Sequence, residues 1–154
     1  SQEPGKWDGA GIEGAHVIKH DSTYYMFYSS WTQGYAVGYA TSENIYGPWT
    51  KDKANPLFGA FVRNDSSFIF REGKASYDPE SPFITVGHNQ VFVGPDGSLW
   101  ISCHGYRKGD ENASMIMDPF WFEEGKIRTN APTYTTQIVT ISEAMGKKFP
   151  LLAR

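Results

Sequence analysis

Cysteine is almost absent from this chain: Cys103 is the single one among 154 residues. One thiol cannot close an intrachain disulfide, so no covalent framework holds the fold. Cys103 lies in the run Leu99-Trp100-Ile101-Ser102-Cys103 and is expected to pack as a small apolar residue. The local sequence sets up no His/Asp relay around it, which argues against a nucleophile. Long apolar runs are missing too. No stretch approaches the ~18 apolar residues a membrane span needs. Positive charge is in short supply: the formal net charge is −3. A nucleic-acid partner would want a basic face, so that class is set aside. No signal peptide is visible, and Ser1-Gln2-Glu3-Pro4 reads as a cut or mature end.

What is present points to strands. Aromatic residues make up 16% of the chain, beside 16 glycines and 9 prolines. Aromatics favour pleated, half-buried surfaces, and Gly and Pro favour turns, so an all-β fold is expected. The length suffices for one domain with a real core. Most rings should serve that core, although a ring face also stacks on the apolar C–H face of a sugar.

Two groups of strands are expected. Gly14–His20 and Thr23–Ser29 form a hairpin around Asp21-Ser22, followed by Tyr35–Thr41 and a short strand Trp49–Asp52. Asn44 through Pro48 supplies the turn between the last two. The second group comprises Val86–Val93, Ser98–His104, Ser114–Phe122 and Lys126–Asn130, with turns at Pro95-Asp96-Gly97 and Glu123-Glu124-Gly125. Each group has the size of one propeller blade. The units span about residues 13–53 and 85–130. Residues 55–84 read as an inter-blade insertion, with a further hairpin at Phe58–Val62 and Ser67–Phe70 and a Pro-rich loop over Ser76–Pro82. In the tail, 131–154, Ser142–Lys148 has the cap of a short helix.

The chemistry begins at Ile12-Glu13-Gly14-Ala15-His16, where a carboxylate sits at the mouth of a strand. The aromatic strand Thr23-Tyr24-Tyr25-Met26-Phe27-Tyr28-Ser29 follows. Next come Tyr39-Ala40-Thr41-Ser42, Gly47-Pro48-Trp49-Thr50-Lys51, Gly87-His88-Asn89, and Pro95-Asp96-Gly97 leading to Trp100-Ile101. In that order, over roughly residues 7–130, the chain resembles glycoside hydrolase family 43. These are five-bladed β-propellers that cleave arabinose- and xylose-containing polysaccharides. The resemblance implies a partial propeller of about two four-stranded antiparallel blades, the later part of such a catalytic domain.

It also implies roles. Glu13 matches the family's general acid, with Ala15 where Pro is common. Such an acid needs a raised pKa, and Ile12, Val17, Tyr24, Phe27 and Trp31 are expected to supply an apolar setting. His88 matches a histidine near the propeller axis, under the sugar site, which often contacts a hydrated calcium ion. Calcium prefers oxygen ligands, so water would fill most of its shell. His16 and His20 lie on a strand and are not spaced as a zinc site, and His104 reads as structural. Trp31 and Tyr35 border the pocket as sugar-stacking candidates. Of Asn89 and Gln90, one must face the channel by strand alternation, and Gln90 is taken as substrate-binding.

Two of the family's three carboxylates are missing. Its general base and the aspartate that tunes the acid both precede the glutamate by long stretches, and only twelve residues precede Glu13 here. Asp8 is too close to Glu13 to be either. The family's arginine before Asp118-Pro119 is replaced by Asn112-Ala113-Ser114-Met115, leaving Arg107 or Arg128 as substitutes. The expected activity is therefore an inverting hydrolase acting on a carbohydrate, with its base supplied from outside. The missing blades would come from a second chain, a cleaved fragment or a homo-oligomer. The family favours a secreted or periplasmic protein. The alternative is a noncatalytic or vestigial carbohydrate-binding propeller fragment.

Overall fold

The computed structural model describes residues 2–139, so the helix expected over Ser142–Lys148 lies outside the described residues. Among the described residues there is no helix; eleven strands form two antiparallel sheets. The first sheet holds β1 (Ile12–His20), β2 (Thr23–Ser30), β3 (Tyr35–Ser42), β4 (Thr50–Lys51), β5 (Phe58–Arg63), β6 (Ser66–Arg71) and β7 (Lys74–Tyr77). The second holds β8 (Phe83–Val93), β9 (Leu99–Arg107), β10 (Ser114–Glu123) and β11 (Lys126–Thr129), in the order β11-β10-β9-β8.

Turn chemistry fixes the hairpins. His20 pairs with Thr23 around Asp21, which has φ 52°. Asn64-Asp65, Glu72-Gly73 and Glu124-Gly125 each have two consecutive positive φ values between paired strand ends. That is the type I′ geometry, whose twist matches that of the flanking strands.

Residues 55–84, expected as an inter-blade insertion, carry three strands that join the first sheet. The edge of β3 is shared: its end at Ala40-Thr41 pairs with β4, while Tyr35–Val37 pairs with Phe58–Ala60 of β5. Strands β5, β6 and β7 therefore widen the first sheet. The physical reason lies in β3, whose eight residues outrun the two of β4 and leave ladder groups that need partners.

The two sheets pack face to face. Phe27, Val37 and Phe58 from the first meet Phe83, Val86, Ile101 and Ile127 from the second, all of them buried. Burial of each such side chain contributes about 1.5–3 kcal/mol. Cys103 lies in this core, where desolvation raises its thiol pKa well above the usual value.

Candidate active site

Two β-bulges build the site. In β1, Glu13 pairs with Ser29 and His16 with Phe27, so Gly14 and Ala15 together oppose Tyr28. In β8, Gly87 pairs with His104 and Gln90 with Ser102, so His88 and Asn89 together oppose Cys103. A bulge bends its strand and re-aims a side chain. Gly14 has φ 63° and His88 has φ 56°, and the two bulges face one another.

Their meeting brings Glu13 and His88 together, although 75 residues separate them. His88 Nδ1 lies 3.0 Å from Glu13 Oε1. Tyr35, on the neighbouring end of β3, donates its hydroxyl to the same Oε1. The His104 ring lies 5.5 Å from the Tyr35 ring and stacks on His88 at 5.7 Å. Close packing beneath them depends on Gly87: a Cβ there would stand 2.5 Å from Tyr35 Cδ2.

The setting of Glu13 is not the apolar one expected from Ile12, Val17, Tyr24, Phe27 and Trp31. Its side chain keeps 35% of its surface exposed and that of His88 keeps 52%. The Tyr35 hydrogen bond, aided by the His88 contact and the nearby imidazoles, outweighs desolvation and holds the carboxyl below its ordinary pKa. Donors aimed at the anion favour it, whereas apolar burial would oppose it.

The other candidates divide. Tyr35 is buried, so it braces Glu13 and offers little open ring face. Trp31 is 55% exposed and lies across Gly11, with no room between them for a Cβ. Gln90 is exposed and Asn89 buried, as the bulge dictates. Arg128 pairs with Glu72 and Glu123, and Arg107 lies over the Phe83 ring. Asp8 is buried, accepting from the Tyr28 hydroxyl at 3.0 Å and facing Lys51 Nζ at 2.6 Å. That ion pair gives Asp8 a structural role. Among the described residues no three His, Cys, Asp or Glu side chains gather as a metal site.

One further residue braces the two bulges. Ser29, fully buried opposite Glu13, accepts from the backbone N–H of His88 at 2.9 Å and of Asn89 at 3.4 Å. Ser29 closes the aromatic motif run Thr23–Ser29, but nothing in that run signals a bond to β8, 59 residues on.

The family model "Glycosyl hydrolases family 43" matches residues 3–127. A thermostable family-43 glycoside hydrolase of known structure is similar at 30% identity and a TM-score of 0.66, over 85% of this chain and 39% of that one. An endo-1,4-β-xylanase from Bacteroides thetaiotaomicron VPI-5482 is similar at 25% identity and 0.59, over 78% of this chain and 38% of its own. An endo-1,5-α-L-arabinanase from Thermotoga petrophila RKU-1, at 17% identity and 0.55, shares the fold over 85% of this chain and 33% of its own. This chain thus spans less than half the length of these solved relatives. The fold is a partial five-bladed β-propeller, and the chain belongs to glycoside hydrolase family 43.

Proposed function

We propose that this chain is the acid-bearing part of a glycoside hydrolase acting on arabinose- or xylose-containing polysaccharide or oligosaccharide. One observation carries the reading: in a family-43 chain, Glu13 stands on a bulge where Tyr35 and His88 both contact its Oε1. The xylanase named among the relatives supports the pentose-polymer substrate.

The reaction is a single displacement with inversion. Glu13 protonates the glycosidic oxygen as the bond to the anomeric carbon breaks. A water attacks that carbon from the opposite face and gives its proton to an aspartate from outside this chain. Glu13 must then carry a proton, and here its carboxyl is held low. A second carboxylate brought alongside would raise it, because like charges disfavour ionisation. The missing blades would supply that charge together with the base.

The surfaces fit a missing neighbour. Met115, Met117, Trp121, Phe92 and Tyr106 are exposed on the outer face of the second sheet. The outer face of the first sheet has a hollow of about 430 Å³ lined by Ile12, Met26, Tyr28 and Trp49 among others. Apolar faces of this kind mark contact surfaces. The neighbour is the remainder of the propeller, from the same polypeptide, a cleaved fragment or another subunit.

Calcium at the axis gains little support from these residues. His88 uses Nδ1 on Glu13, and imidazole is a poor calcium ligand.

In the complete enzyme, Glu13→Gln is expected to slow hydrolysis of a substrate with a poor leaving group about 10²–10⁴-fold, the usual contribution of one general acid. Unchanged turnover would remove Glu13 from the mechanism. The second reading, a noncatalytic or vestigial carbohydrate-binding propeller fragment, is favoured by the contacts at Glu13, whose Oε1 takes the Tyr35 hydroxyl and meets His88, an arrangement that suits the anion. It predicts sugar binding with no hydrolysis even after the full propeller is assembled.

A further inference from the structure

Nothing in the covalent chain fixes the distance between Glu13 and His88. They lie on different sheets, and a shift of one sheet over the other would part them. Away from the site, the Tyr25 hydroxyl donates to the Gly125 carbonyl at 3.0 Å and Arg128 pairs with Glu72, tying the sheets toward the β10–β11 end. The bulges at the other end need a directional tie of their own, and Ser29 supplies it.

Ser29 is the Cα partner of Glu13 across the β1–β2 ladder and of Val37 across the β2–β3 ladder. Its backbone is therefore held from both sides within the first sheet. Its side chain leaves that sheet. Oγ accepts from His88 N–H at 2.9 Å and from Asn89 N–H at 3.4 Å, and donates to Asn89 Oδ1 at 3.0 Å. His88 and Asn89 are the two residues of the β8 bulge. A bulge leaves backbone groups without ladder partners, and a buried N–H left unpaired is costly. Ser29 meets that need with one atom.

We infer that Ser29 is a positioning residue for the acid: by binding both amides of the β8 bulge from the strand that carries Glu13's partner, it sets where His88 stands against Glu13. The inference rests on the reading of Glu13 as general acid. Ser29 touches neither substrate nor reacting atoms. It acts through the His88 backbone, which it holds at a positive φ that a non-glycine residue rarely adopts. A change of about 1 Å in a catalytic geometry can cost on the order of 10²-fold in rate.

The test compares aryl pentosides with poor and good leaving groups, phenyl against dinitrophenyl, on the full-length enzyme. A good leaving group departs without protonation, so only the poor one reports on the acid. Ser29→Ala is expected to lower kcat on the phenyl glycoside by about 10- to 10²-fold, with KM and the dinitrophenyl rate little changed. In a His88→Ala background the same substitution should have a much smaller effect, because the two residues act as a unit. An equal loss on both glycosides, or full additivity with His88→Ala, would mark Ser29 as merely structural and overturn the inference.

Should Ser29→Ala fail to fold, Ser29→Thr and Ser29→Val replace it, since they share a shape and differ by the hydroxyl. Thr is expected to keep the wild-type leaving-group dependence and Val to steepen it. Identical behaviour of the two overturns the inference. Glu13→Gln serves as the separate control. If it leaves phenyl glycoside hydrolysis intact, the parent reading fails. If it abolishes that hydrolysis while Ser29→Ala leaves it intact, the role of Ser29 alone fails.

Discussion

Gly14 and His88 face one another across two bulges: a Cβ on Gly14 would stand 3.6 Å from His88 Cδ2 and 3.7 Å from its Cα. That spacing is ordinary van der Waals contact, so room for a methyl group exists. The obstacle is the backbone, since Gly14 has φ 63°. Gly14→Ala should therefore cost about 1–2 kcal/mol through left-handed strain. Denaturant unfolding of the variant measures it, and a value near zero would show that the bulge relaxes.

Tyr35→Phe separates the hydroxyl from the ring. The Tyr35 hydrogen bond is the largest influence lowering the Glu13 pKa, so the variant's carboxyl should titrate at higher pH. The sign for stability follows. A depressed carboxyl pKa contributes stability above the unfolded carboxylate range, and that contribution is lost as pH falls through the folded value. Tyr35→Phe should be less stable than wild type at neutral pH and converge with it in acid. Melting across pH, with the Glu13 carboxyl followed by NMR, checks both halves.

Gly87→Ala attacks the same hydroxyl from below. The added carbon would meet Tyr35 Cδ2 at 2.5 Å and Cε2 at 2.6 Å. Overpacking of this kind costs about 1–3 kcal/mol. Displacing the ring should also loosen its bond to Glu13, so the carboxyl should shift upward as in Tyr35→Phe. An unchanged Glu13 titration would show that the ring gives way without losing the bond.

Cys103 should be chemically silent in the folded protein. It is 5% exposed in the inter-sheet core, and burial raises its thiol pKa. The thiolate is the reactive form. Labelling by a thiol reagent should wait for unfolding, with a rate that tracks denaturant. Rapid labelling under native conditions would place an opening between the sheets.

The strands and most of their turns were legible because Asp21-Ser22, Asp96-Gly97 and Glu124-Gly125 punctuate runs rich in Tyr, Phe and Val. Strand β7 was not. Lys74-Ala75-Ser76-Tyr77 is exposed throughout, so no apolar alternation betrays it. The joining of β5 to β3 depends on how far β4 falls short, a tertiary fact that local sequence does not carry. Glu13 and His88 were legible through their motifs, yet the bulges that unite them break the two-residue period on which strand reading depends. The direction of the Glu13 pKa hung on a hydroxyl 22 residues away.

The divided edge of β3 sets a limit on variation. Tyr35 pairs directly with Ala60, so the first strand of the 55–84 segment props the residue that grips the acid. Beyond it, among the described residues, β6 pairs with β5 and β7, and β7 pairs with β6 alone. Grafts or lengthened loops at the exposed Asn64-Asp65 turn or along exposed β7 should leave the acid in register, whereas surgery at Phe58–Ala60, or at the Ile69–Arg71 run that pairs with it, would reach it.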